Sequence, residues 1–279
     1  MHAQTAAALV LALASTTLTN IAYLREHDAA VALPPLSLRR PLQSVQALLG
    51  DRSWLLGFAL ESGGFALYVA ALALAPLSLV QSVAAGGIGI LAYVSARMSR
   101  SRLDRAETAG VLVSMLGLLA LAISLSRGTA EGSGGSTGEI LLWLGATAAA
   151  ALVALTLGQR LGVLAVAEGV AGGLLFSIGD ISVKIATQGG ARTIFAIGVV
   201  AGYALGTALL QLGYQQGGAL TVAGLATLLT NALPIAAGNV VLGEPLPSGA
   251  LGPVRILAFA TVTLGAILLA RHDRGAMRR

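Results

Sequence analysis

The stretch that decides the fold is "VLAVAEGVAGGLLFSIGDISVKIAT", residues 163–187. It is apolar over a length that lets an α-helix cross the roughly 30 Å hydrocarbon core of a bilayer at about 1.5 Å per residue. It also contains Asp180 and Lys184, and a charge at the bilayer centre costs roughly 2.5–3.5 kcal/mol. We therefore expect a transmembrane helix whose charged side chains are compensated by other helices or by a water-filled cavity.

Similar apolar blocks recur along the whole chain of 279 residues, of which 56% are hydrophobic and 10% charged. A mean hydropathy of +0.84 excludes an ordinary soluble domain. The 36 glycines suit membrane helices that approach each other closely. The sequence contains no cysteine, which excludes disulfides and thiolate metal sites. Its pI near 10.2 reflects basic residues at the ends of apolar blocks, so we interpret them as topology signals and predict no nucleic-acid partner.

We predict an all-α polytopic membrane protein with about nine transmembrane helices. The predicted spans are 3–24, 53–73, 76–97, 107–125, 140–157, 163–187, 193–213, 219–241 and 252–270. The charged link at 25–52 contains a short predicted interfacial helix in "PLQSVQALLGDR". Small residues after the first apolar run resemble a signal-peptide cleavage site, so cleavage of the first span stays an alternative.

The charge pattern predicts the orientation in the membrane. With the N-terminus outside and the C-terminus inside, all arginines fall on the inner side except Arg127, Arg192 and Arg255. Such a bias of basic residues favours this N-out, C-in arrangement. We expect a multi-pass protein of the cytoplasmic membrane.

The two halves of the chain resemble each other weakly. The sequence "PLSLVQSVAAGG" (76–87) aligns with "GALTVAGLATLL" (218–229), and "VSMLGLLALA" (113–122) aligns with "TVTLGAILLA" (261–270). If spans 1–4 correspond to spans 6–9, a connector helix reverses the second half, as in many secondary transporters. The predicted units are a first repeat at 1–127, a Gly/Ser loop with connector span 5 at 128–158, and a second, inverted four-helix repeat with a basic tail at 159–279.

These residues resemble a known superfamily. The segment "ALALAPLSLVQSVAAGGIGILAYVSARM" (71–98) and the segment "LLQLGYQQGGALTVAGLATLLTNALPIAAGNVVLGEPLP" (209–247) are similar to the drug/metabolite transporter superfamily, of EamA-like type. Its members usually have ten spans, whereas region 25–52 is too polar for a tenth. The nine-span count is closer to the NIPA-type magnesium transporters, which resemble the same superfamily. The resemblance implies alternating access of two inverted halves.

Three ionisable residues are candidates for the substrate or ion pathway. Asp180 and Lys184 lie one helical turn apart, in the order that favours an ion pair. They form either a self-neutralised pair that orients the helix or a titratable pair on the path. Glu61, in "LLGFALESGGFALY" (55–68), is a second acid within an apolar span. Burial favours its neutral form, which suits either proton coupling or a hydrogen bond to another helix.

Span 8 is the most polar predicted helix. Thr227, Asn231 and Pro234 recur at helical spacing, with Asn239 further along. Pro234 frees a backbone carbonyl near position 230, which indicates that this face meets a cavity. The alternative is that these polar groups only form hydrogen bonds between neighbouring helices. We expect structural or gating roles for Pro76, Pro234 and Glu244, and an interfacial position for the polar residues Gln211, Tyr214, Gln215 and Gln216.

The sequence therefore predicts a secondary transporter that moves a small solute, with proton coupling through Asp180 or Glu61. A magnesium transporter is the alternative, and a non-transporting scaffold or helper subunit is an alternative of another class. We predict no enzyme, no cofactor and no metal cluster, because the histidines lie at chain ends or in a loop and no catalytic constellation is present. The expected partners are a small-molecule or ion substrate and the lipid bilayer; a homodimer stays open.

Overall fold

The computed structural model describes residues 2–74, 105–124, 135–186, 188–243, 249 and 251–276. Within these residues the protein is all-helical, with nine α-helices and one 3₁₀ helix. The helices are α1 (His2–Ala32), α2 (Pro41–Gly50), α3 (Arg52–Leu74), α4 (Arg105–Ser124), α5 (Thr137–Leu161), α6 (Leu164–Ala186), a 3₁₀ helix (Gly190–Phe195), α7 (Ala196–Tyr214), α8 (Ala219–Val240) and α9 (Leu251–Ala276).

Most predicted spans coincide with these helices, and the predicted span 76–97 lies outside the described residues. Five described segments are long and apolar enough to cross a membrane. They are Ala6–Ala32, Thr137–Leu161, Leu164–Ala186, Gly190–Tyr214 and Ala219–Gly238. The chain is therefore a multi-pass helical membrane protein. The inverted repeat, the domain boundaries and the N-out, C-in orientation stay predictions.

The first helix is longer than predicted, because α1 continues through the charged residues to Ala32 instead of ending at residue 24. The prediction placed Glu26 in the charged link at 25–52, but its side chain is fully buried. A hydrogen bond from α7 compensates for that burial, so the helix continues past the charged residues. The short helix predicted after it is present as α2, with Leu42, Val45 and Leu49 exposed, and its interfacial position stays a prediction.

Helix α6 is the centre of the bundle, and it packs against α5, α7 and α8. Glycines permit these close contacts. A Cβ at Gly173 of α6 would lie 2.7 Å from the carbonyl oxygen of Ala226 in α8. A Cβ at Gly202 of α7 would lie 2.7 Å from the backbone nitrogen of Gly179 in α6. Since a methyl group does not fit at these points, glycine sets the distance between the helices.

Two further helix pairs complete the described part of the bundle: α1 packs along α3, and α4 packs along α9. The second contact contains Arg255, which was predicted to be an outer topology signal but is only 1% exposed. Its guanidinium donates hydrogen bonds to the side chain and the backbone carbonyl of Ser124 in α4, each at 3.1 Å. Arg255 therefore joins α9 to α4, which explains how its charge is accommodated.

Local sequence signals set the ends of α5. Ser136 caps its first turn together with Glu139, in a reciprocal capping box. The helix ends at Gly162, whose φ of 67° is the left-handed conformation that glycine adopts without strain. The short connection that follows places α6 directly against α5, with a Cβ at Gly158 only 2.2 Å from the Cβ of Ala167.

Candidate functional site

A cavity of about 190 Å³ lies between helices of the two halves of the chain. Helices α1, α3, α6, α7 and α8 all contribute to its wall. Most of its lining is polar or aromatic, and the lining residues are Ser15, Thr16, Thr19, Asn20, Tyr23, Glu61, Phe65, Tyr68, Phe176, Asp180, Tyr203, Thr227, Thr230 and Asn231. Neither lysine nor arginine is among these described lining residues. Four of the six residues predicted from the sequence for the pathway, Glu61, Asp180, Thr227 and Asn231, are thus brought to one cavity.

Asp180 reaches the cavity from α6, and its carboxylate is held by α7. The Tyr203 hydroxyl donates a hydrogen bond to Asp180 Oδ1 at 2.5 Å. This contact with Tyr203 was not anticipated from the sequence, which proposed only Lys184 as the partner of Asp180. Lys184 lies one turn further along α6 with an exposed side chain, close to the end of the helix.

The position of Tyr203 is set by its neighbours on three sides. A Cβ at Gly179 would lie 2.9 Å from its ring carbons, so the glycine beside Asp180 makes room for the ring. Phe65 of α3 and Phe176 of α6 contact the ring with centroid distances of 6.0 and 5.9 Å. Because packing fixes the ring, the hydroxyl is held at the Asp180 carboxylate.

The polar face of α8 forms another wall of the cavity. Asn231 donates from Nδ2 to the carbonyl of Thr227 at 2.8 Å. Its amide oxygen can therefore accept a hydrogen bond or bind a cation at the cavity. The Thr230 hydroxyl is buried and has no hydrogen-bond partner among the described residues. Pro234 lies inside α8, one turn beyond Thr230. The backbone carbonyl of Thr230 consequently lacks the usual helical donor.

Glu61 reaches the cavity from α3, and a second acid that sequence reasoning missed lies behind it. Glu26 of α1 is fully buried, and its carboxyl group lies within hydrogen-bonding reach of the Glu61 carboxyl. Gln211 of α7 donates from Nε2 to Glu26 Oε2 at 2.5 Å. Helix α3 approaches this point through Gly57, where a Cβ would lie 2.7 Å from Glu26 Cγ.

The expectation that the polar end of α7 is interfacial was wrong for Gln211 and Tyr214, which are 1% and 0% exposed. Gln215, one turn after Gln211, also binds α1: its Nε2 donates to the carbonyl of Ala30 at 2.7 Å. Its Oε1 accepts a hydrogen bond from the backbone nitrogen of Leu36 at 2.9 Å. Two glutamines one turn apart therefore join α7 to the end of α1.

The remaining predicted site residues lie elsewhere. Asn239 is near the end of α8, and its side chain is not among those described. Pro76 and Glu244 lie outside the described residues. Their predicted roles, and those of Pro234 and Lys184, stay predictions.

The polar groups available at the cavity are carboxyl, hydroxyl and amide groups, and they lie beside aromatic rings. Among the described residues, no group of three or more His, Asp or Glu side chains is arranged to hold a metal ion directly. One or two carboxylates with hydroxyl and amide groups suit a cation that keeps part of its water shell. The volume agrees with this, since one water molecule needs roughly 10–15 Å³ of such a cavity.

A comparison with known proteins gives one informative relative. The chain is 27% identical over 296 aligned positions to a protein of Arabidopsis thaliana described as "Probable magnesium transporter NIPA9". The alignment covers 95% of this chain and 82% of the relative. This chain is distantly related to a NIPA-type protein. No protein-family model and no solved structure matches the chain.

The relationship extends over nearly the whole chain, so it includes every helix that lines the cavity. This relationship agrees with the resemblance to NIPA-type proteins that the predicted count of nine spans indicates. The relative is described as a transporter and not as an enzyme.

Proposed function

We propose that the chain is a membrane transporter whose substrate is a hydrated divalent cation, with Mg²⁺ as the first candidate. The observation that carries this proposal is the placement of Glu61 and Asp180, from α3 and α6, on the wall of one cavity. The distant relationship to a protein described as a probable magnesium transporter supports the same substrate.

The lining suits Mg²⁺ for a physical reason. Mg²⁺ gives up its water reluctantly and is usually held through one or two carboxylates, with several waters retained. Glu61 and Asp180 can supply two negative charges, which match the charge of the ion. Thr227, Thr230 and Asn231 of α8 offer hydroxyl, carbonyl and amide groups to its waters.

A second candidate is a small organic solute, because aromatic rings form part of the same wall. Phe65, Tyr68 and Phe176 line the cavity together with Glu61 and Asp180. Rings beside carboxylates suit an amphipathic organic cation. The resemblance to the drug/metabolite transporter superfamily supports this alternative.

For either substrate we propose secondary transport across the cytoplasmic membrane by alternating access of two inverted halves. The weak internal repeat and the distribution of arginines support this arrangement. The cavity lies between α1 and α3 of the first half and α6, α7 and α8 of the second, as such a mechanism requires. The third class, a scaffold or helper subunit, predicts binding of neither substrate.

The test is Mg²⁺ uptake into proteoliposomes that contain a magnesium-sensitive dye. We expect uptake by the wild type and at least a tenfold slower rate for Asp180→Asn and for Glu61→Gln. The matched control is Glu139→Gln, which removes a carboxylate that is exposed at the start of α5 and keeps an acceptor for the Ser136 cap. Glu139→Gln should retain the wild-type rate.

Thermal unfolding of the detergent-purified protein separates the candidates. A ligand that binds only the folded state stabilises it by roughly 2.7 kcal/mol at 100 times its dissociation constant. A midpoint raised by Mg²⁺ in the wild type but not in Asp180→Asn supports the cation. A midpoint raised only by amphipathic amines supports the organic solute, and a wild-type protein that neither binds nor transports contradicts both.

A further inference from the structure

We propose that Tyr203 makes the cavity select Mg²⁺ over Ca²⁺, by occupying one oxygen of the Asp180 carboxylate and leaving the other for the ion. This inference rests on the proposed function, because it concerns which divalent cation the same cavity prefers. Tyr203 acts through Asp180, so it is a positioning residue that sets specificity.

The two oxygens of the Asp180 carboxylate have different surroundings. The Tyr203 hydroxyl donates a hydrogen bond to Oδ1 at 2.5 Å. Among the described residues, no donor to Oδ2 is present, and Asp180 is partly exposed where it lines the cavity. An ion that binds both oxygens must compete with the hydroxyl for Oδ1, whereas an ion that binds only Oδ2 leaves the hydrogen bond intact.

Mg²⁺ and Ca²⁺ differ in what they require of a carboxylate. Ca²⁺ takes about 6–8 oxygen ligands in flexible geometry, and a carboxylate can bind it through both oxygens. Mg²⁺ is smaller, needs nearly octahedral geometry and keeps several of its waters, so one carboxylate oxygen suits it. A hydrogen bond held at Oδ1 therefore disfavours Ca²⁺ more than Mg²⁺.

The packing of the Tyr203 ring keeps the hydroxyl at Oδ1. Phe65 and Phe176 contact the ring with centroid distances of 6.0 and 5.9 Å. A Cβ at Gly179 would lie 2.9 Å from two of its ring carbons. An ion can therefore displace the hydroxyl only by moving a packed aromatic side chain, which is costly in a closely packed interior.

The backbones of α6 and α7 fix the distance between the two side chains. Glycine precedes both residues in the sequence, as Gly179 before Asp180 and as Gly202 before Tyr203. A Cβ at Gly202 would lie 2.7 Å from the backbone nitrogen of Gly179 and 2.7 Å from the carbonyl oxygen of Leu175. The two helices are thus in backbone contact at this level. The fold itself therefore holds the hydroxyl and the carboxylate together.

The test is isothermal titration calorimetry of the detergent-purified full-length protein with MgCl₂ and with CaCl₂. We expect the wild type to bind Mg²⁺ more tightly than Ca²⁺. In Tyr203→Phe the ratio of the Ca²⁺ to the Mg²⁺ dissociation constant should fall about tenfold, which is the scale of one hydrogen bond to a charged group. A hydroxyl that only stabilised the helix pair would, when removed, weaken the binding of both ions alike. An unchanged ratio in Tyr203→Phe, or a wild type without preference for Mg²⁺, overturns the inference.

Tyr214→Phe is the matched control, because it removes a hydroxyl from the same helix, about three turns further along. The Tyr214 hydroxyl is buried and has no hydrogen-bond partner among the described residues. The described cavity lining does not include Tyr214. The ratio in Tyr214→Phe should equal the wild-type ratio, and an equal fall in both variants would overturn the assignment to Tyr203.

Gly179→Ala disturbs the same hydrogen bond without removing the hydroxyl. The added methyl group would meet the Tyr203 ring at 2.9 Å and move the hydroxyl away from Oδ1. We expect the ratio to fall, as in Tyr203→Phe. If gel filtration shows that Tyr203→Phe is not monodisperse, Gly179→Ala decides the question, and a wild-type ratio in that variant overturns the inference.

Failure of the proposed function gives a different result from failure of this inference. If the wild type binds neither ion, the cation proposal fails and the role of Tyr203 in selectivity fails with it. If the wild type prefers Mg²⁺ and Asp180→Asn abolishes binding, while Tyr203→Phe keeps the wild-type ratio, the cation site stands and only the role of Tyr203 is refuted.

Discussion

Helices α5 and α6 are neighbours of similar length, yet they meet different surroundings. In α6, 72% of the most apolar segment is buried inside the protein, compared with 17% in α5. Helix α6 contains Glu168, Ser177, Asp180 and Ser182 along its length, whereas α5 has its charged residues only at its two ends. Polarity in these membrane helices follows contact with protein, because lipid cannot satisfy a polar group.

One glycine from the middle of each helix shows the same contrast. A Cβ at Gly173 in α6 would lie 2.7 Å from a backbone oxygen and 2.8 Å from a Cα of α8. A Cβ at Gly145 in α5 would meet nothing within 4 Å. The same residue type therefore sets helix packing at Gly173 and leaves open space at Gly145.

The largest expected effect comes from adding one methyl group at these two positions. Gly173→Ala should destabilise the protein by about 3 kcal/mol, because the backbone of α8 cannot move aside without losing other contacts. Gly145→Ala should cause no loss, since the added methyl group meets open space. Denaturant unfolding of both variants in the same detergent measures the difference. Equal destabilisation would contradict the assignment of α6 to the core and α5 to the periphery.

A second pair of residues tests how burial affects a polar contact: Gln211 in α7 and Gln216 in the turn that follows it. Gln211 and Gln216 each donate to a buried glutamate, but Gln211 is 1% exposed and Gln216 is exposed. Gln211→Leu should cost about 2 kcal/mol, because no water replaces the donor that Glu26 loses. Gln216→Leu should cost clearly less, since water can reach Glu168 from that side. The unfolding free energies of the two variants are the readout, and a larger loss for Gln216→Leu would refute this view.

The smallest expected effect compares two hydroxyl groups. Tyr203→Phe removes the donor to Asp180 at the cavity and should cost about 1 kcal/mol, because cavity water partly replaces the hydroxyl. Thr156→Val removes an exposed hydroxyl of α5 that only bonds the carbonyl of Val153 in its own helix. We expect no measurable loss for Thr156→Val in the same unfolding assay. A loss as large as that of Tyr203→Phe would show that Thr156 is in a packed contact, contrary to its exposed position in the structure.

Much of the candidate site follows from local sequence alone. Glu61, Asp180, Thr227 and Asn231 are polar residues in apolar spans, and the cost of placing them in lipid predicts that they face a cavity. The structure brings all four to one cavity wall. Lys184 shows the limit of this reasoning, because a residue near a helix end can reach the membrane surface and need not face inward.

The sequence by itself determined the class of protein, since the length and apolarity of each block fix transmembrane helices. It did not determine how far α1 extends or which groups meet across the bundle. A helical spacing of small and polar residues does continue from Ser15 through Thr19 and Tyr23 to Glu26, and this was the available signal. The sequence did not reveal the hydrogen-bond partner of Glu26, because Gln211 lies 185 residues away along the chain. Only tertiary packing brings such a donor to Glu26, and that donor decides whether a charged segment ends a helix or becomes part of its buried face.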